Sequence, residues 1–433
     1  MSVLTRFHFI STRFIHDRVE RSFAGALAPT VRQNMLIELW GSIAFGVFFA
    51  TAIQFIPVVL RRLGASSELL ALYTAETYLG SILTSLSLVL MRRRRTKTFA
   101  VLCWFFSRSL FLLFAFVTSV PWLLVVMGFY WVVEGFPSPA YTRIIQAIYP
   151  EAVRGKAMAV VRLGQVFTTL LITPLAGWAL DHWSYRLLFP LGGLIGVVSV
   201  WLFSGLNVDE GVLPPREPRP VGSLWRIVQK NRPFAIHLLA FAVYGLGALL
   251  GYALYPIVQV DRLHLSYTTI GLLGLAQSTA WLLGFIFWGR AIDRLGGLLV
   301  MRANLAVGFV IPFTYIWATQ GWMLAPAFIA QGILSAGVDL ALISTCIQLA
   351  EPDKVVEYAA IQSTVIGLRG MVAPFIGIAL LKVGLADTTI FTLGCLLIAA
   401  SWLILGQIAL AGAPKLAERQ VLRWPWRFRF PRI

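Results

Sequence analysis

The sequence predicts an all-α membrane protein: twelve transmembrane helices in two pseudo-symmetric six-helix bundles. Three observations carry this. Of 433 residues, 58% are hydrophobic and 13% charged, half the charge of a typical soluble domain, and the apolar residues gather in runs of about 20, the length that spans a bilayer core as helix. The basic residues segregate to alternate sides of those runs. The two halves of the chain repeat each other at a nearly constant spacing.

The runs fall in order at 35–60, 69–90, 99–120, 122–148, 157–180 and 187–206. A polar stretch at 207–233 follows, with Pro214, Pro215, Pro218 and Pro220, residues that deter helix. Six more runs occupy 234–260, 270–288, 298–318, 322–349, 359–381 and 389–411. The expected organisation is therefore an N-terminal segment (1–34), a six-helix bundle (35–206), a linker (207–233), a second bundle (234–411) and a basic aromatic tail (412–433). Residues 1–34 hold no compact apolar stretch with a small-residue cleavage site, so no signal peptide is read there.

Orientation follows from Lys and Arg, which mark cytoplasmic loops. With twelve spans and both termini cytoplasmic, 26 of the 36 basic residues lie inside and five outside. An odd number of spans scatters that bias. The repeat appears as Pro57-Val58 matching Pro256-Ile257, Pro174-Leu-Ala-Gly177 matching Pro374-Phe-Ile-Gly377, and 150–157 matching 352–359, all at offsets between 199 and 202. Corresponding helices keep one direction, which makes the repeats parallel about an axis normal to the membrane.

Several classes are disfavoured. The net charge of +17 sits in loops, as topology requires, and argues for no nucleic-acid partner. Cys103, Cys346 and Cys395 lie singly in apolar runs, and the five histidines do not cluster, so neither disulfide nor metal site is indicated. Gly155-Lys156 lacks the upstream glycine and following hydroxyl of a phosphate-binding loop, and no dinucleotide fingerprint or H-E-x-x-H occurs. No cofactor and no enzyme chemistry is expected.

After the eighth run comes Gly289-Arg-Ala-Ile-Asp293-Arg294-Leu-Gly296. At such a turn Gly289 admits a close helix, Asp293 can accept from helix N-terminal amides or pair with a cation, and Gly296 supports a tight bend. With Pro150-Glu151-Ala-Val-Arg154-Gly155-Lys156, Trp183-Ser-Tyr-Arg186-Leu-Leu-Phe189 and the six-linker-six plan, the chain resembles the major facilitator superfamily across 35–411. The resemblance implies two bundles rocking in alternating access about a cavity lined chiefly by the first, fourth, seventh and tenth helices. Two departures stand out: Met91 occupies the Asp position of the first-half motif, before Arg92–Arg95, and Thr169 and Thr173 replace the glycines of the antiporter motif before Pro174. By the same resemblance, Asp293, Arg294 and Gly289 form a cytoplasmic gate against residues 155–158, and Arg94, among Arg92–Arg95, faces Glu351, Asp353 and Glu357. The alternative is that the four arginines serve topology alone.

A charge at mid-bilayer costs about 2.5–3.5 kcal/mol on insertion scales, so each needs a reason. Glu76, Arg108, Glu134 and Arg369 lie mid-span and Asp339 nearer the cytoplasmic third. Glu38, Arg143, Arg162, His237 and Arg302 lie within a turn or two of the interface, where side chains snorkel, and are not taken as sites. Glu134 precedes Gly135-Phe-Pro137-Ser-Pro139, which disturbs the helix and suits reversible protonation; the alternative is an ion pair with Arg108. Asp339 and Glu76 are further proton-coupling candidates, Asp339 having Arg302 as an alternative structural partner. Arg369, between Gly367 and Gly370, is the candidate substrate contact, with Glu134, Tyr244 and Tyr252 beside it. The tail from Arg423 to Arg432 interleaves cations and aromatics, which suits an anionic leaflet. The expected function is secondary, proton-coupled transport of a small organic solute across the inner membrane by a monomer. The rival is a scaffold or assembly factor that kept the fold and lost transport.

Overall fold

The structure, a computed structural model, describes residues 28–83, 95–208, 221–351 and 354–420. Eleven helices among the described residues are long and apolar enough to cross a membrane: α1 (Pro29–Arg62), α3 (Thr96–Ala115), α4 (Val120–Ile148), α5 (Val153–His182), α6 (Tyr185–Ser204), α7 (Arg232–Arg262), α8 (Tyr267–Leu295), α9 (Gly297–Trp317), α10 (Gly321–Leu349), α11 (Glu357–Lys382) and α12 (Asp387–Ile408). The remaining span, α2, is described as Ser67–Glu76 and Leu79–Ile82. These make the twelve-helix, two-bundle architecture the sequence predicts.

The repeat is written into the backbone. α1 tightens to a 3-10 turn at Ile53–Phe55 before Pro57, and α7 does the same at Tyr252–Leu254 before Pro256. Each proline removes a helical donor there. Two left-handed residues follow at matching positions, Gly64 (φ +88°) and His264 (φ +47°). Ser66 then caps the α2 start by accepting from the Leu69 amide, and Ser266 caps α8 by accepting from the Thr269 amide. His264 holds by strain what Gly64 adopts freely. Pro137 divides α4 into Val120–Gly135 and Ser138–Ile148.

The bundles meet along two seams, α5 with α8 and α2 with α11. At the first, a Cβ on Gly271 would lie 2.9 Å from the Thr173 carbonyl oxygen, so only hydrogen fits. At the second, Gly370 packs against the Tyr78 ring and Gly367 against Ile82. The hydrophobic core is unequal from end to end. Toward the face opposite the termini, Phe55, Val58 and Leu60 of α1 share one cluster with Leu254, Val258 and Ile270 of the second bundle. Toward the terminus face the first bundle keeps a separate cluster around Met35, Phe99, Ile144 and Tyr149, and the second another around Phe234, Leu238, Cys346 and Tyr358. The bundles are thus packed together at the far face.

Two expectations change. The linker is not loop throughout: Val221–Lys230 is helix, beginning just after Pro220, and Ile227 and Val228 pack on the Phe234 cluster. α8 runs to Leu295, so Asp293 and Arg294 ride its last turn and the loop shrinks to Gly296 at φ +80°, the tight bend expected.

Candidate functional site

The far face is latched by charges between the bundles. The Arg61 Nε at the end of α1 donates to both Asp261 oxygens of α7, at 3.1 and 2.9 Å. Arg62 donates to the Leu265 carbonyl at 2.6 Å and stacks 3.6 Å over Tyr267. Asp181, at the end of α5, accepts from the amides of Tyr267 (2.9 Å) and Thr268 (2.7 Å) and from the Thr268 hydroxyl (2.7 Å). It therefore neutralises the positive end of α8 from the other bundle. At the second seam Lys382 bonds Glu68 at 2.7 Å, holding that carboxyl down to about 2. Sequence reasoning missed this latch, although Arg61 and Asp261 sit at corresponding helix ends 200 residues apart.

Three polar groups lie deeper. Glu134 is paired: it accepts from Arg108 at 3.2 Å and from the Ser107 hydroxyl at 2.6 Å. Arg108 also bonds the Ser199 hydroxyl and lies 4.6 Å over the Phe45 ring. Glu76 is different. It is 8% exposed, its carboxyl faces Gly128 of α4, where a Cβ would sit 3.5 Å from Oε1, and Oε2 has no hydrogen-bond partner among the described residues. Tyr73 lies within electrostatic reach of both Glu76 and Tyr252, with the Trp131 indole beside its hydroxyl.

Arg369 crosses from α11 to α7, where it bonds the Phe241 carbonyl and stacks 4.0 Å over that ring; its Nε is buried and has no partner among the described residues. Tyr78 of α2 and Tyr244 of α7 flank it electrostatically. Tyr244 is buried with its hydroxyl against Gly308, so it stands behind Arg369, whereas Tyr252 is 39% exposed in the 3-10 break of α7. Beside them the Nε2 of His237 lies 3.0 Å from Gln362. The structure therefore brings Glu76, Tyr252 and Arg369 to the α2–α7–α11 region and sets Glu134 on the α3 side.

Asp339 does not meet Arg302, which stacks 3.9 Å over Trp402 and bonds its carbonyl. The reason is helix phase: Arg302 points to α12. Asp339 instead is exposed toward the interior, within electrostatic reach of Arg162 of α5, with the Trp281 indole beside it. Arg162 also acts on Glu38, which is 2% exposed and accepts from the hydroxyls of Tyr141 (2.6 Å) and Tyr149 (2.5 Å). Glu38 does not snorkel, contrary to expectation. α1 begins at Pro29, not 35, which carries Glu38 inward.

Of the expected terminus-face gate, Arg94 and Asp353 lie outside the described residues, as does the tail from 421. Asp293 and Arg294 are exposed, and Glu357 sits in the first turn of α11. Glu351 pairs with Lys354, a neighbour in its own loop. Gly289 admits no close helix in this conformation: a Cβ on it, or on Gly155, would meet nothing within 4 Å.

Two bundles latched at one face, with ionisable groups between them, define a polytopic membrane protein of carrier architecture. The chain belongs to the Major Facilitator Superfamily, whose model matches residues 39–374. It is 34% identical over 118 residues to the "Probable galactarate/D-glucarate transporter GarP" of Escherichia coli K12, a stretch covering 25% of this chain and 26% of that protein. It is 24% identical over 195 residues, 40% of this chain and 34% of the relative, to the "Uncharacterized MFS-type transporter YhcA" of Bacillus subtilis. The chain thus spans about a quarter to a third of the length of these curated relatives. Among solved structures the nucleoside transporter NupG superposes with a TM-score of 0.63 at 12% identity, covering 87% of this chain and 99% of that one, which establishes the shared fold. Family and relatives are named as transporters, not enzymes.

Proposed function

We propose that the chain is a secondary active transporter carrying a small organic solute by alternating access, driven by protons. Bundles 35–206 and 234–411 are the moving bodies and 207–233 joins them. The observation that carries this is Glu76: a mid-membrane carboxyl with an oxygen left unpartnered is costly and needs a role that loading and unloading a proton supplies. Asp339 and Glu134 are the further coupling groups. For Glu134 to bind a proton, Arg108 needs another acceptor, and the Ser199 hydroxyl already provides one.

Arg369 is the substrate contact, with Tyr252 at the mouth of the site and Tyr244 behind. A buried guanidinium with a spare donor suits a carboxylate, and the name of the Escherichia coli relative, a transporter of two hydroxylated acid anions, supports an organic acid as substrate. The terminus-face gate consists of Asp293, Arg294 and Gly289 with Arg94 and Glu357. The charge bias supports the inner membrane with both termini cytoplasmic and the tail meeting anionic lipid; the proposed working unit is a monomer.

The test is uptake into reconstituted vesicles. A pH gradient should drive accumulation of a labelled hydroxy acid, Glu76→Gln should remove the gradient response, and Arg369→Gln should raise the half-saturating concentration at least tenfold, about 1.4 kcal/mol. An undiminished gradient response in Glu76→Gln, Glu134→Gln and Asp339→Asn would refute the coupling assignment.

A further inference from the structure

We infer that Arg162 is a positioning residue for the coupling carboxylate: it exchanges between Glu38 of its own bundle and Asp339 of the other as the terminus face opens and closes. This rests on the proposed role of Asp339.

Three facts place the groups together. Counted from the terminus-face ends of their helices, Glu38 is nine residues in from Pro29, Arg162 eleven from Glu151 and Asp339 ten from Leu349. At about 1.5 Å per residue those depths are roughly 14, 16 and 15 Å, a single level. Arg162 is within electrostatic reach of both carboxylates. Arg162 and Asp339 are exposed, whereas Glu38 is fully buried.

The chemistry then separates the two acids. Both oxygens of Glu38 are held by Tyr141 and Tyr149, so it is a fixed anchor on the first bundle. Asp339 moves with the second bundle and, among the described residues, has Arg162 and the Trp281 indole within reach. Arg162 bonds Gln165 at 3.1 Å, on its own helix, and its long side chain is free to swing. With the bundles apart at the terminus face, Arg162 rests on Gln165 and the field of Glu38. When they approach, Asp339 comes within bonding distance and the charge-assisted pair closes the vestibule. One cation shared by two anions on separate bodies is a two-state element, which coupling between distant events requires.

Spin labels on Ala147→Cys of α4 and Gln229→Cys of the linker helix, with Cys103 replaced by serine, report the separation of the bundles at the terminus face by electron–electron distance measurement. Arg162→Gln and Asp339→Asn should each raise the open-to-closed ratio about fivefold or more, and the double variant should raise it no further. Exchanging the charges, Arg162→Asp with Asp339→Arg, should restore the closed population. Arg162→Lys should stay within about twofold of the parent, and Glu38→Gln, by removing the competitor, should lower the ratio. Additive single effects, or an exchange that fails to restore closure, would overturn the inference. The readout needs no substrate, so restored closure without gradient-driven uptake supports the switch and counts against transport alone.

Discussion

The buried pair of Arg108 and Glu134 offers a decisive perturbation because its partners are unequally provided for. Arg108 has the Ser199 hydroxyl, the Gly196 carbonyl at 3.4 Å and two aromatic rings besides Glu134. Among the described residues Glu134 has only the Ser107 hydroxyl besides Arg108. Their side chains are 8% and 15% exposed. Breaking such a pair from one side costs about 3–5 kcal/mol when the remaining charge is stranded. Arg108→Leu should therefore fall in that range. Glu134→Gln should cost about 1–2 kcal/mol, because the amide keeps a Ser107 bond and Arg108 keeps its other acceptors. Arg108→Leu with Glu134→Leu should recover most of the loss, since replacing both charges by apolar groups is often near neutral.

Thermal unfolding of the detergent-solubilised protein reads these values, and Glu134→Leu alone completes a double-mutant cycle with the parent, Arg108→Leu and the double-leucine variant. Equal losses in Arg108→Leu and Glu134→Gln, or additive losses around the leucine cycle, would refute the reasoning. The same set separates structure from transport. If the double-leucine variant folds and still responds to a pH gradient, Glu134 is a structural partner only and coupling rests on Glu76 and Asp339.

Gly271→Val should lower stability by about 1–3 kcal/mol through overpacking against the Thr173 carbonyl, measured by the same melt, while Gly289→Ala, whose Cβ meets open space, should melt within about 0.5 kcal/mol of the parent. Asp181→Asn removes a charge from the α8 start but keeps one acceptor; loss of a helix cap costs about 0.5–2 kcal/mol, so labelling of a cysteine at Ser266 should become several-fold faster. The Glu68–Lys382 link has a sign fixed by its carboxyl, which is lowered to about 2 from its usual 4.5. Such a link is fully present above about pH 4.5 and is lost only as pH falls toward about 2. Electron–electron distances between spin labels on Leu63→Cys and Val383→Cys, exposed positions beside the intact link, report whether the two helix ends stay close and should be unchanged between pH 7 and 5.

Much of the fold was legible because it depends on properties local in sequence. Span length and the 200-residue register are one-dimensional, and the structure realises them down to the paired left-handed residues Gly64 and His264. The site was only partly legible, because depth along a helix says nothing about which face a side chain occupies. Arg302 and Arg162 both lie near one interface by counting, yet one stacks on Trp402 of α12 and the other faces Asp339. Glu38 was concealed differently: α1 continues through polar residues such as Arg32 and Gln33 before the apolar run begins, so the helix is longer than its hydrophobic stretch. Glu134 and Arg108 could be named as a pair from sequence, but their hydrogen bonds to Ser107 and Ser199 depend on how the helices are rotated against one another.

The far-face latch also has a magnitude suited to reversal. Packing alone would hold the bundles shut, since burying one large apolar side chain is worth about 1.5–3 kcal/mol and several are shared there. That packing is offset on the other conformation's side by whatever apolar surface meets when the terminus face closes, so the difference between states falls to the contacts unique to each. At the far face those are half-exposed polar links: the Arg61–Asp261 pair, 26% and 40% exposed, belongs to a class worth about 0–1 kcal/mol, and the Asp181 cap adds about 0.5–2 kcal/mol. A latch of this strength lies within reach of a ligand, because moving a two-state equilibrium from 1:99 to 99:1 takes about 5.5 kcal/mol of differential binding. Replacing Arg61 and Asp261 by a well-packed leucine pair should therefore arrest the molecule with its far face closed, abolishing exchange while raising the melting temperature; a variant that melts higher and still exchanges at the parent rate would show that the latch is not what sets the balance.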